Sequence, residues 1–227
     1  MTEESTNRSL AVVEQSLLAL SAGMSAQSRR DAKTTFQFSS LVASKLYNRD
    51  GESEAWFNKF LETMRTVGWV AGKRSYERDY DTSRSLTLGP IAFKVASAAG
   101  KALLGGPVGE AMAKLAGDAI NALGNIEEAQ KIFQQNLKGN PVATTGLGAC
   151  IETPEGELFM LVNAFSASPS ENDLNTTVFE WKSSSKDRYC GSAVLSFNEV
   201  VYTAEVRAAI EKRLIDRAIK AATEQDF

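Results

Sequence analysis

Apolar residues recur with a helical period through the first half of the chain and with an alternating period through much of the second. Leu10, Val13, Leu17 and Leu20 fall three or four apart, which predicts a first helix capped by Asn7 or Ser9, behind a polar flexible tail over residues 1–8. Phe38, Leu41, Val42 and Leu46 share one face of a second predicted helix over Ala26–Tyr47, closed by the turn signal Asn48-Arg49-Asp50-Gly51. A third helix starts at Ser53, presents Trp56, Phe57, Phe60, Leu61, Met64 and Val67 on a wide apolar face, and stops at Gly68. Aromatics at this spacing are read as core anchors rather than as a stacking platform for bases or sugars. Trp69–Tyr80 is ambiguous, with strand-like alternation and charge mixed with aromatics.

Leu88–Leu123 is different in kind. It is rich in Ala and Gly and folds at Gly105-Gly106-Pro107. It predicts a hairpin of two helices, Ile91–Leu104 and Val108–Leu123. The second carries Val108, Met112, Leu115, Ala119 and Leu123 as a stripe opposite Glu110, Lys114 and Asp118. A further helix, Ile126–Leu137, is bounded by Asn125 and by Gly139 and Pro141.

Beyond Pro141 the alternation predicts four strands: Val142–Glu152, Leu158–Ser168, Asn175–Ser183 and Tyr189–Phe197. The first two flank the hairpin signal Thr153-Pro154-Glu155-Gly156-Glu157. A last helix, Thr203–Thr223, turns Val206, Ala209, Ile210 and Leu214 inward and leaves Glu205, Arg207, Glu211, Lys212, Arg213 and Arg217 at the surface. The expected fold class is α+β: an N-terminal helical block with the Ala/Gly-rich hairpin, then a four-stranded antiparallel meander with one covered face, then a C-terminal helix. Residues 1–227 are read as one domain, with a split near 139–141 as the alternative.

Composition narrows the chemistry. The 227 residues contain no histidine, which removes the commonest general base, metal ligand and neutral-pH switch. Ser-His-Asp and Cys-His nucleophile systems cannot be assembled within this chain. Cys150 and Cys190 lack metal-ligand spacing, and a disulfide between them requires their Cα atoms to come within about 7 Å. A net charge of −3 argues against phosphate-backbone binding, so nucleic acid is not an expected partner. Gly100-x-x-x-x-Gly105-Gly106 has no Lys-Ser/Thr after it and is not a P-loop, and no G-x-S-x-G elbow precedes a helix. The carboxylate pairs Asp79/Asp81, Glu127/Glu128 and Glu155/Glu157 lie in solvated runs or turns. No enzyme activity, metal or cofactor is expected.

The start of the chain lacks a basic n-region, and no stretch reaches about 18 uninterrupted apolar residues. Synthesis in the cytoplasm is expected, with release by lysis or a dedicated machine rather than by a signal peptide.

The functional expectation rests on the Ala/Gly hairpin, whose small side chains let another surface come close. That surface is a neighbouring helix, an identical subunit or a lipid bilayer. A membrane-active, pore-forming or toxin-like role is the reading taken, with a self-assembling structural or adaptor protein as the alternative and a homo-oligomer expected in both. In the alternative, a free strand edge near Asn175–Ser183 adds a pairing surface. The expected membrane or subunit contacts are Ile91, Phe93, Gly100, Gly105, Gly106, Pro107, Gly109, Met112, Leu115 and Gly117. Arms of 14 to 16 residues span about 21 to 24 Å, short of a hydrocarbon core of about 30 Å, so they suit the membrane interface. Replacing Gly105 and Gly106 together by leucine is expected to abolish vesicle leakage while circular dichroism still reports folded strands; full leakage from that variant removes the hinge role.

Overall fold

The computed structural model describes residues 9–13, 16–49, 51–78, 86–87, 106–123, 143–167, 180–181 and 189–223. In chain order the elements are β1 (Ser9–Val13), β2 (Ser16–Leu20), α1 (Ala26–Leu46), α2 (Ser53–Thr66), β3 (Trp69–Arg78), β4 (Leu86–Thr87), α3 (Gly106–Leu123), β5 (Ala143–Glu152), β6 (Leu158–Ala167), β7 (Glu180–Trp181), β8 (Tyr189–Phe197) and α4 (Ala204–Thr223).

The α+β class holds, but the sheet is mixed and larger than a four-stranded meander. Six strands run in the order β1-β2-β5-β6-β8-β3. The pairs β5–β6, β6–β8 and β8–β3 are antiparallel, as is β1–β2, whereas β2 joins β5 in parallel, with Ser16 level with Gly146 and Leu20 with Cys150. The segment predicted as a first helix is therefore the hairpin β1–β2. Trp69–Arg78 resolves as edge strand β3, with a bulge between Ala71 and Lys73. Of the strand expected at Asn175–Ser183, the described part is Glu180–Trp181, which pairs with Leu86–Thr87 in a separate two-stranded sheet. The edges of the large sheet are β1 and β3 instead. The predicted helices 91–104 and 126–137 lie outside the described residues.

Helix α1 begins at Ser25, whose Oγ accepts from the Ser28 N–H at 3.0 Å, while the Ser25 N–H donates to Glu152 Oε2 at 2.6 Å and ties the helix to the end of β5. Its inner face is small: Ala32, Ser39, Ser40 and Ala43 are buried beside Phe36. That leaves room for the aromatic face of α2. Trp56 and Phe60 stack at 5.5 Å between ring centroids, and Phe36 meets Phe60 edge-on at 5.2 Å. The indoles of Trp56 and Trp69 donate to Ser44 Oγ and Thr35 Oγ1 at 3.0 and 2.9 Å, so neither ring is buried at the cost of an unmet N–H. Helix α2 ends at Gly68, whose φ of +95° suits glycine, and the Gly68 carbonyl accepts from Asn198 N at 2.7 Å.

The α1–α2 layer sits on the sheet where the strands lack side chains. A Cβ built on Gly148 would lie 2.7 Å from Leu18 Cδ1 and 3.1 Å from Phe36, and one on Gly191 2.7 Å from Phe57 and 2.8 Å from Tyr76. These contacts identify the face of β2 and β5 that carries Ser16, Leu18, Leu20, Gly146, Gly148 and Cys150. Leu17, Ala19, Leu147, Ala149 and Ile151 point to the other face, because side chains alternate along a strand. They are buried too. The expectation of one covered face is thus corrected: β2, β5 and β6 are closed in from both sides, which is why their runs are apolar almost without break.

The register also settles the cysteines. Cys150 is level with Met160 and Leu195, whereas Cys190 is level with Phe165 and Thr145, with β6 between their strands. Cys150 is a free, buried thiol. Gly191→Ala is expected to cost about 1–3 kcal/mol by overpacking, read as a lowered urea midpoint. Gly23→Ala, where a Cβ meets nothing within 4 Å, serves as the neutral control. Equal midpoints would show that the helical layer yields.

Candidate functional site

Of the expected contact residues, Ile91, Phe93, Gly100 and Gly105 lie outside the described residues. Gly106, Pro107, Gly109, Met112, Leu115 and Gly117 belong to α3. The helix starts two residues before the predicted Val108. Gly106 has a φ of +48° with open space around it, so glycine serves the backbone there rather than a close contact. Proline next to it fits the first turn, where its missing N–H is not needed.

Helix α3 packs on β2 and β5. Met112 and Leu115 are buried, as is Gly109, while Gly106, Pro107, Glu110, Ala111 and Lys114 face out. Met112 and Leu115 stand apart from the aromatic core, and the buried face left for them is that of Leu17, Ala19, Leu147 and Ala149. The alanines Ala19 and Ala149 are paired across β2 and β5, which lets a helix come close. Small residues, Gly109 on the helix and Ala19 and Ala149 on the strands, are buried on both sides of this contact, whose partner within the chain is the sheet.

The same face holds an unusual polar group. Asn163 is level with Leu147 across β5–β6, so its side chain points to the α3 side. It is 2% exposed, and neither Oδ1 nor Nδ2 has a hydrogen-bond partner among the described residues. An amide buried this way destabilises the closed arrangement by roughly 1–3 kcal/mol. No sequence signal marks it: a lone Asn in an apolar run reads as a strand interruption.

On the aromatic side, α4 is fixed to α1 near one end. Arg207 Nε and Nη2 donate to the two carboxylate oxygens of Asp31 at 2.8 Å each, and Gln27 Nε2 donates to Asp31 Oδ1 at 2.9 Å. The Asp31 side chain is 5% exposed. Its bidentate bond holds the Arg207 guanidinium above the usual arginine range. Arg207 also lies over the Tyr202 ring at 5.2 Å, and Arg30 pairs with Glu211 at 2.8 Å. Farther along, α1 and α4 part to leave a groove of about 470 Å³, floored by Phe38, Leu41, Val42 and Leu214 and edged by Lys45, Arg213 and Arg217. The sequence places Arg213 and Arg217 at plain surface, since nothing in the chain shows that α1 and α4 lie side by side.

Burial, with Glu152 adding to it, pushes the Cys150 thiol far up, the reverse of an activated nucleophile. Among the described residues no three Cys, Asp or Glu side chains converge as a metal site.

No protein-family model matches the chain, and no curated protein matches it. Among solved structures it is similar to a delta-endotoxin, at 9% identity over 87% of this chain and 88% of that one, with a TM-score of 0.48. It is also similar to the Evf virulence factor, at 9% identity over 94% and 85%, with a TM-score of 0.41.

Burial and the nearby Asp31 push the Tyr202 phenol up to about 12. A raised phenol favours the neutral form in the fold, so its contribution is whole below about pH 10 and is lost as pH rises towards 12. Tyr202 Oη is buried without a hydrogen-bond partner among the described residues, so Tyr202→Phe is expected to leave neutral-pH stability nearly unchanged. It should also flatten the alkaline loss between about pH 10 and 12, followed by thermal unfolding. An identical alkaline slope in the variant would assign that loss elsewhere.

Proposed function

We propose that this protein acts on membranes without catalysis, and that α3 is the element that leaves the sheet to meet lipid. The observation that carries the reading is the contrast between the two faces of the sheet. One is locked by stacked aromatics and hydrogen-bonded indoles. On the other, a thin helix rests on the alanines and leucines of β2 and β5, and in the neighbouring strand β6 the same face buries Asn163, whose amide has no partner among the described residues and would gain hydrogen bonds once water reached it.

Among the described residues no helix is long and apolar enough to cross a membrane. The 18 residues of α3 span about 27 Å. With Glu110, Lys114 and Asp118 opposite the apolar stripe, α3 suits the headgroup boundary as an amphipathic helix. Its departure would bare Leu17, Leu147 and Ile151, apolar surface that water disfavours and lipid or a second copy accepts.

The protein is expected to float with lipid vesicles and to release a trapped dye from them. Asn163→Leu removes the unmet amide, so the folded state should gain about 1–2 kcal/mol and leakage should slow several-fold. Faster or unchanged leakage from a stabilised Asn163→Leu variant would overturn the release of α3. Absence of both flotation and leakage would overturn the membrane reading, and a defined assembly by light scattering without lipid would then favour the adaptor role.

A further inference from the structure

We infer that the groove between α1 and α4 is a docking site for an anionic lipid, with the headgroup held at Lys45, Arg213 and Arg217 and an acyl chain laid over Phe38, Leu41 and Leu214. The assignment deepens the membrane reading, on which it rests, by naming the lipid chemistry and the surface that meets it first.

Charge selects the occupant. The chain as a whole carries −3, yet α1 and α4 together hold nine Lys and Arg against four Asp and Glu. Some of that charge is used internally. Arg207 is committed to Asp31 and Arg30 to Glu211, which consumes two of the four acids on these helices. Lys45 and Arg213 have no carboxylate partner among the described residues and stand exposed at the groove. Because Lys45 and Arg213 border one site, an anion there is drawn out of bulk solution.

Shape selects the rest of the ligand. A free phosphate needs cations and N–H donors but no apolar floor. Here Phe38, Leu41 and Val42 fall on one face of α1, and Leu46, one turn beyond Val42, is 58% exposed and prolongs that face. A cavity of about 470 Å³ takes a headgroup and part of a chain but is too narrow for a folded partner. Cations above an apolar bed match a surface whose outer layer is anionic and whose inner layer is hydrocarbon. The groove lies on the helical side of the sheet, and α3 lies on the other. Docking and insertion are therefore separable steps.

The test uses the full chain and the double variant Lys45→Gln/Arg213→Gln, with flotation measured on phosphatidylcholine vesicles with and without phosphatidylglycerol. The parent protein should bind the anionic vesicles more tightly, and that preference should fall with salt. The variant should bind them roughly thirtyfold less tightly, at about one order of magnitude or less per cation removed. It should keep the parent's binding to neutral vesicles and the parent's thermal midpoint, since both side chains are exposed. A variant that retains the anionic preference overturns the groove. So does a parent protein that leaks neutral and anionic vesicles equally well, an outcome that leaves the membrane reading standing. A parent that binds neither composition overturns that reading itself. Millimolar inorganic phosphate should compete weakly; full displacement by phosphate would make the ligand a free anion and refute the lipid assignment.

Discussion

The fold depends on one close approach: aromatic side chains of α1 and α2 pressed against strands that carry glycine where the rings lie. Phe36 occupies the space above Gly148 and Phe57 that above Gly191. Ala32, Ser39 and Ala43 on α1 extend the same logic to the contact between the helices. Large rings fill the space that small residues leave, and the two indole N–H groups find hydroxyl acceptors. Close-packed interiors yield little to added volume. This layer therefore fixes the sheet's position, and every other element is placed relative to it.

The two faces of the sheet are consequently unlike. The aromatic face is dense, with α4 held by the paired charges of Asp31 and Arg207, and it too buries polar atoms, Ser39 Oγ and Tyr202 Oη, without partners among the described residues. Breaking such a pair strands a carboxylate in a buried setting, so α4 is a fixed part of the fold at that end. The α3 face has the alanine pair Ala19 and Ala149 among its leucines, a helix with glycine and proline in its first turn, and an amide without partners among the described residues. Local stability is uneven wherever apolar contact is thin, and elements that move are drawn from such places. Beyond Leu214, α4 is largely exposed, with Ile215 and Ile219 each 57% open to solvent.

Much of this could be read from the residues alone, and the failures have physical causes. The stripe from Trp56 to Val67 with Gly68 after it fixes α2, and the turn Thr153–Glu157 fixes the β5–β6 hairpin. In that turn Gly156 N donates to the Thr153 carbonyl at 2.9 Å. The hairpin β1–β2 was hidden because Leu10, Val13, Leu17 and Leu20 also satisfy a helical spacing, and strands buried on both faces lose the alternation that would reveal them. Its neighbour β5 lies far along the chain, so no local signal announces the parallel pairing. The stripe on α3 was legible because it is local. Asn163 and the groove were not. One is defined by the partners it lacks, and the other by two helices brought together from opposite ends of the sequence.

The parallel union of β2 with β5 carries a consequence for how the chain is made. Ser16–Leu20 is translated before α1, α2, β3 and α3, and the strand that completes it comes only after they have emerged. Until then the growing polypeptide carries a greasy ribbon with one open edge, prone to stick to other nascent chains. Non-local pairing of this kind slows folding, because a long loop must close before the contact is rewarded. Expression of this protein is thus expected to depend on holdase chaperones during synthesis far more than the finished sheet, with β2 and β5 sealed on both sides, would suggest.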